Sequence, residues 1–168
     1  MILKNSLRFV VVIILQILLF NNIQFSGYIN PYFYIFFILL LPIKTPAWLS
    51  LLSAFALGFI IDIFSQSPGL HTAASVLIAF IRPFVIFSLK TSREINQDQE
   101  PNLTNMGFTW FISYSIILIL IHHTFYFFLE IFRFTNYLDT FYRIIASGFA
   151  TFISILIAQL LTYQKSTK

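Results

Sequence analysis

Apolar residues run along this chain in long blocks separated by short polar interruptions. A hydrocarbon layer about 30 Å thick is crossed by roughly 20 apolar residues in helical form, and most of the blocks approach that length. The first, residues 7–23, follows Lys4 and overlaps Arg8. Its flanks resemble those of a signal peptide. Residues 21–30, however, read NNIQFSGYIN with no small-residue cleavage site, which predicts an uncleaved first crossing. The second block, residues 28–43, is shorter; Asn30 can cap it and Pro31 suits a first helical turn. Pro42 and Pro46 then bracket a tight turn carrying Lys44. The third block, residues 47–64, has Asp62 near its end and gives way to Ser65, Gln66, Ser67, Pro68 and Gly69, a turn by composition. The fourth, residues 70–89, contains the Arg82-Pro83 step. A hydrophilic loop over 91–105 holds Arg93, Glu94, Asp98, Glu100 and Pro101. The fifth and sixth blocks cover residues 106–132 and 141–163, and a lysine-bearing tail follows.

Composition sharpens this picture. Hydrophobic residues make up 58% of the 168 positions and charged residues only 10%; mean hydropathy is +0.86. Soluble domains carry about 25% charged residues, so too few ionic side chains remain here to cover a water-facing surface. The expectation is an all-α integral membrane protein, residues 1–168 forming one compact domain of six transmembrane helices, with the lipid bilayer as its principal surroundings. The net charge of +4 bears on topology rather than on nucleic acid, for which no partner role is expected. Basic residues favour the cytoplasmic side. Placing both termini there puts Lys4, Arg8, Lys44, Lys90, Arg93, Lys165 and Lys168 inside and only Arg133 and Arg143 outside. The chain has no cysteine, which excludes disulfides and thiolate metal sites.

In lipid, helices associate through close packing of small residues. The third block has Ser50, Ala54 and Gly58 at four-residue steps, and Asp62 continues the row. The sixth has Ala146, Ala150, Ser154 and Ala158 at the same step, and the fourth carries Thr72, Ala73, Ala74, Ser75 and Ala79. These rows predict a core of the third, fourth and sixth helices. The first, second and Phe-rich fifth would then face lipid or a partner.

Few polar residues are placed to carry chemistry. Asp62 could pair with Arg82 or hold an ion; the alternative is a helix-end carboxylate among wet headgroups. Arg82 lies past the middle of its block, where a charge costs about 2.5–3.5 kcal/mol. It either snorkels or meets a polar partner, and the carbonyl of Ala79 freed by Pro83 is one candidate. His122 and His123 are adjacent and point about 100° apart, unsuited to chelating one metal. His122, Tyr126 and Glu130 share a helix face that could relay protons, line a cavity or simply satisfy one another. Glu130 and Arg133 are spaced to pair. There is no HExxH, glycine-rich phosphate loop, Ser/His/Asp arrangement or acidic pair, so the expectation is no enzymatic activity, no metal and no cofactor.

Residues 58–83 read GFIIDIFSQSPGLHTAASVLIAFIRP. This stretch resembles the rod shape-determining MreD family, in which a third helix ends in a glycine-then-aspartate pattern, followed by a short Ser/Gly turn and a fourth helix rich in small residues. Gly58, Asp62, Ser65, Pro68, Gly69 and Leu70 carry the likeness, and the Arg82-Pro83 step looks like the version in Bacteroidetes-type members. The resemblance implies a bacterial inner-membrane component of the elongation complex that supports peptidoglycan synthesis. Its implied partners are MreC, the actin-like MreB, RodA and the elongation penicillin-binding transpeptidase. It also implies a bundle similar to the substrate-binding subunits of energy-coupling-factor transporters. Two functions follow as expectations. One is a scaffold that binds the membrane anchor of an MreC-like single-span protein, with the turn at residues 62–71 shaping the outer side of the contact. The other is a small-molecule-binding transporter subunit, needing an outward polar pocket built from Asp62, His71, His122, Tyr126 and Glu130.

Overall fold

A computed structural model describes residues 2–23, 29–89, 98–131 and 137–163. Tyr28, Lys90, Arg93, Glu94, Phe132, Arg133, Lys165 and Lys168, all invoked above, lie outside the described residues. The elements are α1 (Ile2–Leu15), continued by a π-helical turn (Gln16–Phe20), α2 (Ile35–Leu39), α3 (Ala47–Ser65), α4 (Leu70–Ser88), α5 (Leu103–Met106), α6 (Phe108–Ile131) and α7 (Tyr137–Leu161). α4 lies between α3 and α6, α7 packs on α6, and α1 borders α3. Among the described residues five helices are long and apolar enough to span a bilayer, and the protein is a multi-pass, helical membrane protein.

The expected sixth long helix is not formed. The block at residues 28–43 is helical only over Ile35–Leu39, although every residue from 31 to 42 is buried. The physical reason is its place: it threads the middle of the bundle, where irregular backbone is tolerated because protein replaces lipid around it. Its polar groups are met by side chains of four elements. Ser147 Oγ accepts from the N–H of Asn30 at 3.1 Å, and Thr151 Oγ1 from that of Tyr32 at 2.8 Å. Gln16 Oε1 accepts from the N–H of Tyr34 at 3.2 Å, while Gln16 Nε2 donates to the Pro31 carbonyl at 3.1 Å. Tyr114 Oη donates to the carbonyl of Leu39, Arg8 to that of Leu40 and Arg82 to that of Leu41. The π-helical turn arises at this tie: the N–H of Asn21 reaches back five residues to the Gln16 carbonyl at 2.8 Å, and such turns gather where a helix is adapted to a local task.

The predicted division between core and lipid face is also corrected. The second block and α6, expected to face lipid, form the centre: Phe111, Tyr114, Leu118, His122, His123 and Phe127 of α6 are each fully buried. Small residues mark the receiving surface, and the bulky helix is what they receive. Ala74 and Ser75 on α4, with Ser147 and Gly148 on α7, leave the hollows that α6 fills. On α7 the buried four-step row is Ser147, Thr151, Ile155 and Gln159; Ala146, Ala150, Ser154 and Ala158, one position away, are half-buried.

Two ends of the bundle differ in chemistry. At one, Lys4 and Arg8 hold Glu100 at 3.0 and 2.9 Å, and Lys44 pairs with Asp98. The carboxy-terminal part of α7 reaches the same end, where Gln159 Oε1 accepts from the N–H of Leu103 at 3.2 Å. At the other lie Asp62, the turn between α3 and α4, and a Glu130–Arg143 pair.

Candidate functional site

α3 and α4 are joined by one built unit. Gly58 sits where the two backbones touch: a Cβ there would lie 2.5 Å from the Cα of Thr72. One turn on, Asp62 is 5% exposed and turns its carboxylate onto the start of α4. Oδ1 accepts from the N–H of His71 at 2.9 Å and from Ser67 Oγ at 3.0 Å. Oδ2 accepts from the N–H of Thr72 at 2.9 Å and from Thr72 Oγ1 at 2.5 Å. The first N–H groups of a helix lack partners within it, and its N-terminus favours negative charge. Asp62 meets both needs from the preceding helix. Between them, Gln66 and Gly69 adopt left-handed backbone, φ 54° and 83°. Pro68 and Gly69 are exposed at the turn.

Asp62 therefore does not pair with Arg82. Arg82, 3% exposed, lies toward the Lys4 end. Its Nε donates to Tyr114 Oη at 3.0 Å and its Nη2 to the Leu41 carbonyl. The acceptor is thus the unwound segment, not the Ala79 carbonyl that Pro83 frees. Pro83 is exposed. Glu130 pairs with Arg143 at 2.7 Å; Arg133, its expected partner, lies outside the described residues. Ser50 and Ala54 are buried along α3.

Above the unwound segment the buried polar side chains converge. The Tyr34 hydroxyl lies 2.8 Å from Nδ1 of His71 and 2.7 Å from Nε2 of His122. With a single proton it donates to one ring and accepts from the other. His123 Nδ1 donates to the Ile119 carbonyl at 2.9 Å, and its Nε2 meets Thr151 Oγ1 at 3.1 Å. The rings of Tyr32, His71 and Tyr126 pack together, with centroids 4.6–5.0 Å apart. The line from His71 through Tyr34 to His122 can pass a proton along its two hydrogen bonds. Among the described residues no group of three His, Cys, Asp or Glu side chains is placed to hold a metal ion.

This cluster floors a cavity of about 600 Å³ at the Asp62 end. Tyr32, His71, Tyr126 and Glu130 line it, with Asn21 beyond the π-helical turn and Asn30 of the unwound stretch. Of the residues expected for an outward pocket, His71, Tyr126 and Glu130 are therefore brought together there. Asp62 is occupied with α4, and His122 lies two hydrogen bonds deeper than His71, behind Tyr34. A second cavity, about 540 Å³ and lined mainly by apolar residues, lies nearer the Lys4 end. Phe9 and Val10 of α1, Phe37, and Leu49 and Ser53 of α3 line it.

Sequence reasoning missed Gln16, Tyr34, Ser147 and Thr151. The available signal was a polar residue inside each apolar block, at Gln16 and Thr151. What each one meets depends on helices far away in the chain.

In comparisons of sequence and structure, the chain matches no protein-family model, no curated protein and no solved structure. The likeness to the MreD family thus rests on residues 58–83 themselves.

Proposed function

We propose that this chain is a non-enzymatic, MreD-like component of the bacterial cell-shape machinery, resident in the inner membrane, which holds the membrane anchor of an MreC-like single-span protein. The observation that carries the reading is the apolar groove between α1 and α3. Phe9, Val10, Phe37, Leu41 and Leu49 give it apolar walls, Asn5, Ser6, Lys44 and Thr45 border it at the basic end, and Val10 and Leu49 are exposed. An anchor helix with a ridge of large side chains gains packing there that lipid tails supply less well. The basic cluster of Lys4, Arg8 and Lys44 at one end supports an orientation with that end in the cytoplasm. With the unwound segment counted as a crossing, the reading is six crossings with both ends inside. MreB, RodA and the elongation transpeptidase complete the proposed assembly.

The test is co-purification in mild detergent with an MreC-like partner. Ser53→Trp fills the groove, and Phe149→Trp on the lipid face of α7 is the control. Capture of the partner should fall about tenfold for the first and persist for the second. Equal capture by both variants removes the groove from the reading; no capture by the unaltered chain removes the cell-shape role.

One observation, the polar cavity, favours a second reading: a small-molecule-binding subunit of an energy-coupling-factor-type transporter. Co-purification with an ATPase-bearing coupling module, in place of a coiled-coil partner, would select it.

A further inference from the structure

The cavity at the Asp62 end carries an inference that goes beyond the scaffold role. It deepens the ligand site of the second reading by naming the ligand's chemistry, and it needs no transport. We propose that it is a binding site for a small uncharged ligand rich in hydroxyl or amide groups, chemistry of the sugar kind, seated against the unwound stretch at Asn30 and Tyr32.

Four observations converge. The first is size: about 600 Å³ falls within the roughly 300–1,000 Å³ of small-molecule sites. The second is backbone. Irregular chain at membrane depth persists where it is buried or lines a cavity, and interrupted helices are where membrane proteins build ligand sites. Here Gln16, Ser147 and Thr151 hold the N–H groups of residues 30, 32 and 34, and Asn30 and Tyr32 line the cavity.

Charge is the third. Glu130 is the one charged residue in the described lining, and Arg143 holds it at 2.7 Å. Asp62, close behind, has both oxygens taken by four donors. Among the described residues, an ion entering would give up hydration and meet no charge that lacks a partner. A neutral ligand meets amide, hydroxyl and imidazole groups instead. The fourth is the floor. The packed rings of Tyr32, His71 and Tyr126 give a rigid base with polar edges, suited to a ligand with a C–H face and a hydroxyl rim. His71 has Nδ1 engaged by Tyr34, so Nε2 is the nitrogen that addresses a ligand. Its choice of donor or acceptor passes through Tyr34 to His122.

The same chemistry arrives either as a free sugar or as a glycolipid headgroup. The experiment places the full chain in nanodiscs of phosphatidylcholine and phosphatidylglycerol and measures its melting temperature. Free N-acetylglucosamine and maltose form one arm. Nanodiscs containing monoglucosyl diacylglycerol form the second, and free lysine and inorganic phosphate the third. A saturating neutral ligand should raise Tm by about 5 °C, with the arm that responds naming the source. Asn30→Leu and Tyr126→Phe should each weaken the response at least fivefold, and the ¹⁵N signal of His71 should shift on binding in the unaltered chain. No response in the first two arms, or an equal one to lysine or phosphate, overturns the proposal. Loss of partner capture with the sugar response intact would sink the scaffold role alone.

Discussion

Asp62 satisfies four donors with one carboxylate, two of them N–H groups that open a helix it does not belong to. Removing it strands those groups in a poorly hydrated place, so Asp62→Ala should cost about 2 kcal/mol, read as loss of stability in detergent unfolding. Asp62→Asn keeps one acceptor oxygen and should lose about half as much. Tyr34 is a second such residue, because one hydroxyl serves two histidines. Tyr34→Phe keeps the ring and should cost about 1 kcal/mol for each bond lost. The same denaturation assay checks it, and an unchanged midpoint would show that the two histidines find other partners. Arg82 joins Tyr114 to the Leu41 carbonyl through two different nitrogens. Arg82→Lys offers a single ammonium in place of that fork and should destabilise by about 1–2 kcal/mol. Asp62 and Arg82 stood out in the sequence as charges in apolar blocks. Their acceptors and donors did not, because Leu41 lies 41 positions from Arg82.

At the scale of elements, helices α3 and α4 meet through an absent side chain. A methyl group at position 58 would press on the backbone of Thr72 and the carbonyl of His71, 2.5–2.7 Å away, and backbone cannot rotate aside. Gly58→Ala should therefore cost about 1–3 kcal/mol from overpacking. Gly148→Ala meets its nearest neighbour, a methyl of Ile119, at 3.7 Å and should be close to neutral. Thermal unfolding of the two variants side by side checks this; equal losses would show that the α3–α4 contact gives way. The contrast explains part of what the sequence concealed. A small residue announces that something comes close but not what. α6 is apolar around most of its circumference, so outside the stripe of His122, Tyr126 and Glu130 its residues carry no pattern to distinguish lipid from neighbouring helix, and its central position was not legible. The α7 row at 146, 150, 154 and 158 was misread by one position because Ser147 and Thr151, small but polar, are the residues that meet the unwound chain.

For the molecule as a whole, the two chemically distinct ends give a direct test of topology. The chain has no cysteine, so single cysteines report alone. Pro68→Cys and Tyr163→Cys lie at opposite ends, on exposed positions. In intact cells a membrane-impermeant thiol reagent should label the first, and label the second only after permeabilisation. Labelling of both from outside would contradict the six-crossing reading. The same architecture separates two surfaces: an apolar groove toward the Lys4 end and a polar cavity at the Asp62 end. The proposed anchor helix and the proposed ligand would therefore occupy separate places.

Membrane residence, helical class and the approximate limits of five crossings were determined by the sequence alone, because hydropathy over some twenty residues is a local property that lipid reads directly. The turn after Asp62 was legible for the same reason, since Ser, Pro and Gly act on their own backbone. That the second apolar block unwinds, that α6 is central, and that His71, Tyr34 and His122 form one line came from the packing of the helices on one another. Those outcomes depend on which side chains reach a backbone group from another helix. In lipid an unpaired N–H or carbonyl is too costly to leave, so the fold is set by partners that lie far apart along the chain.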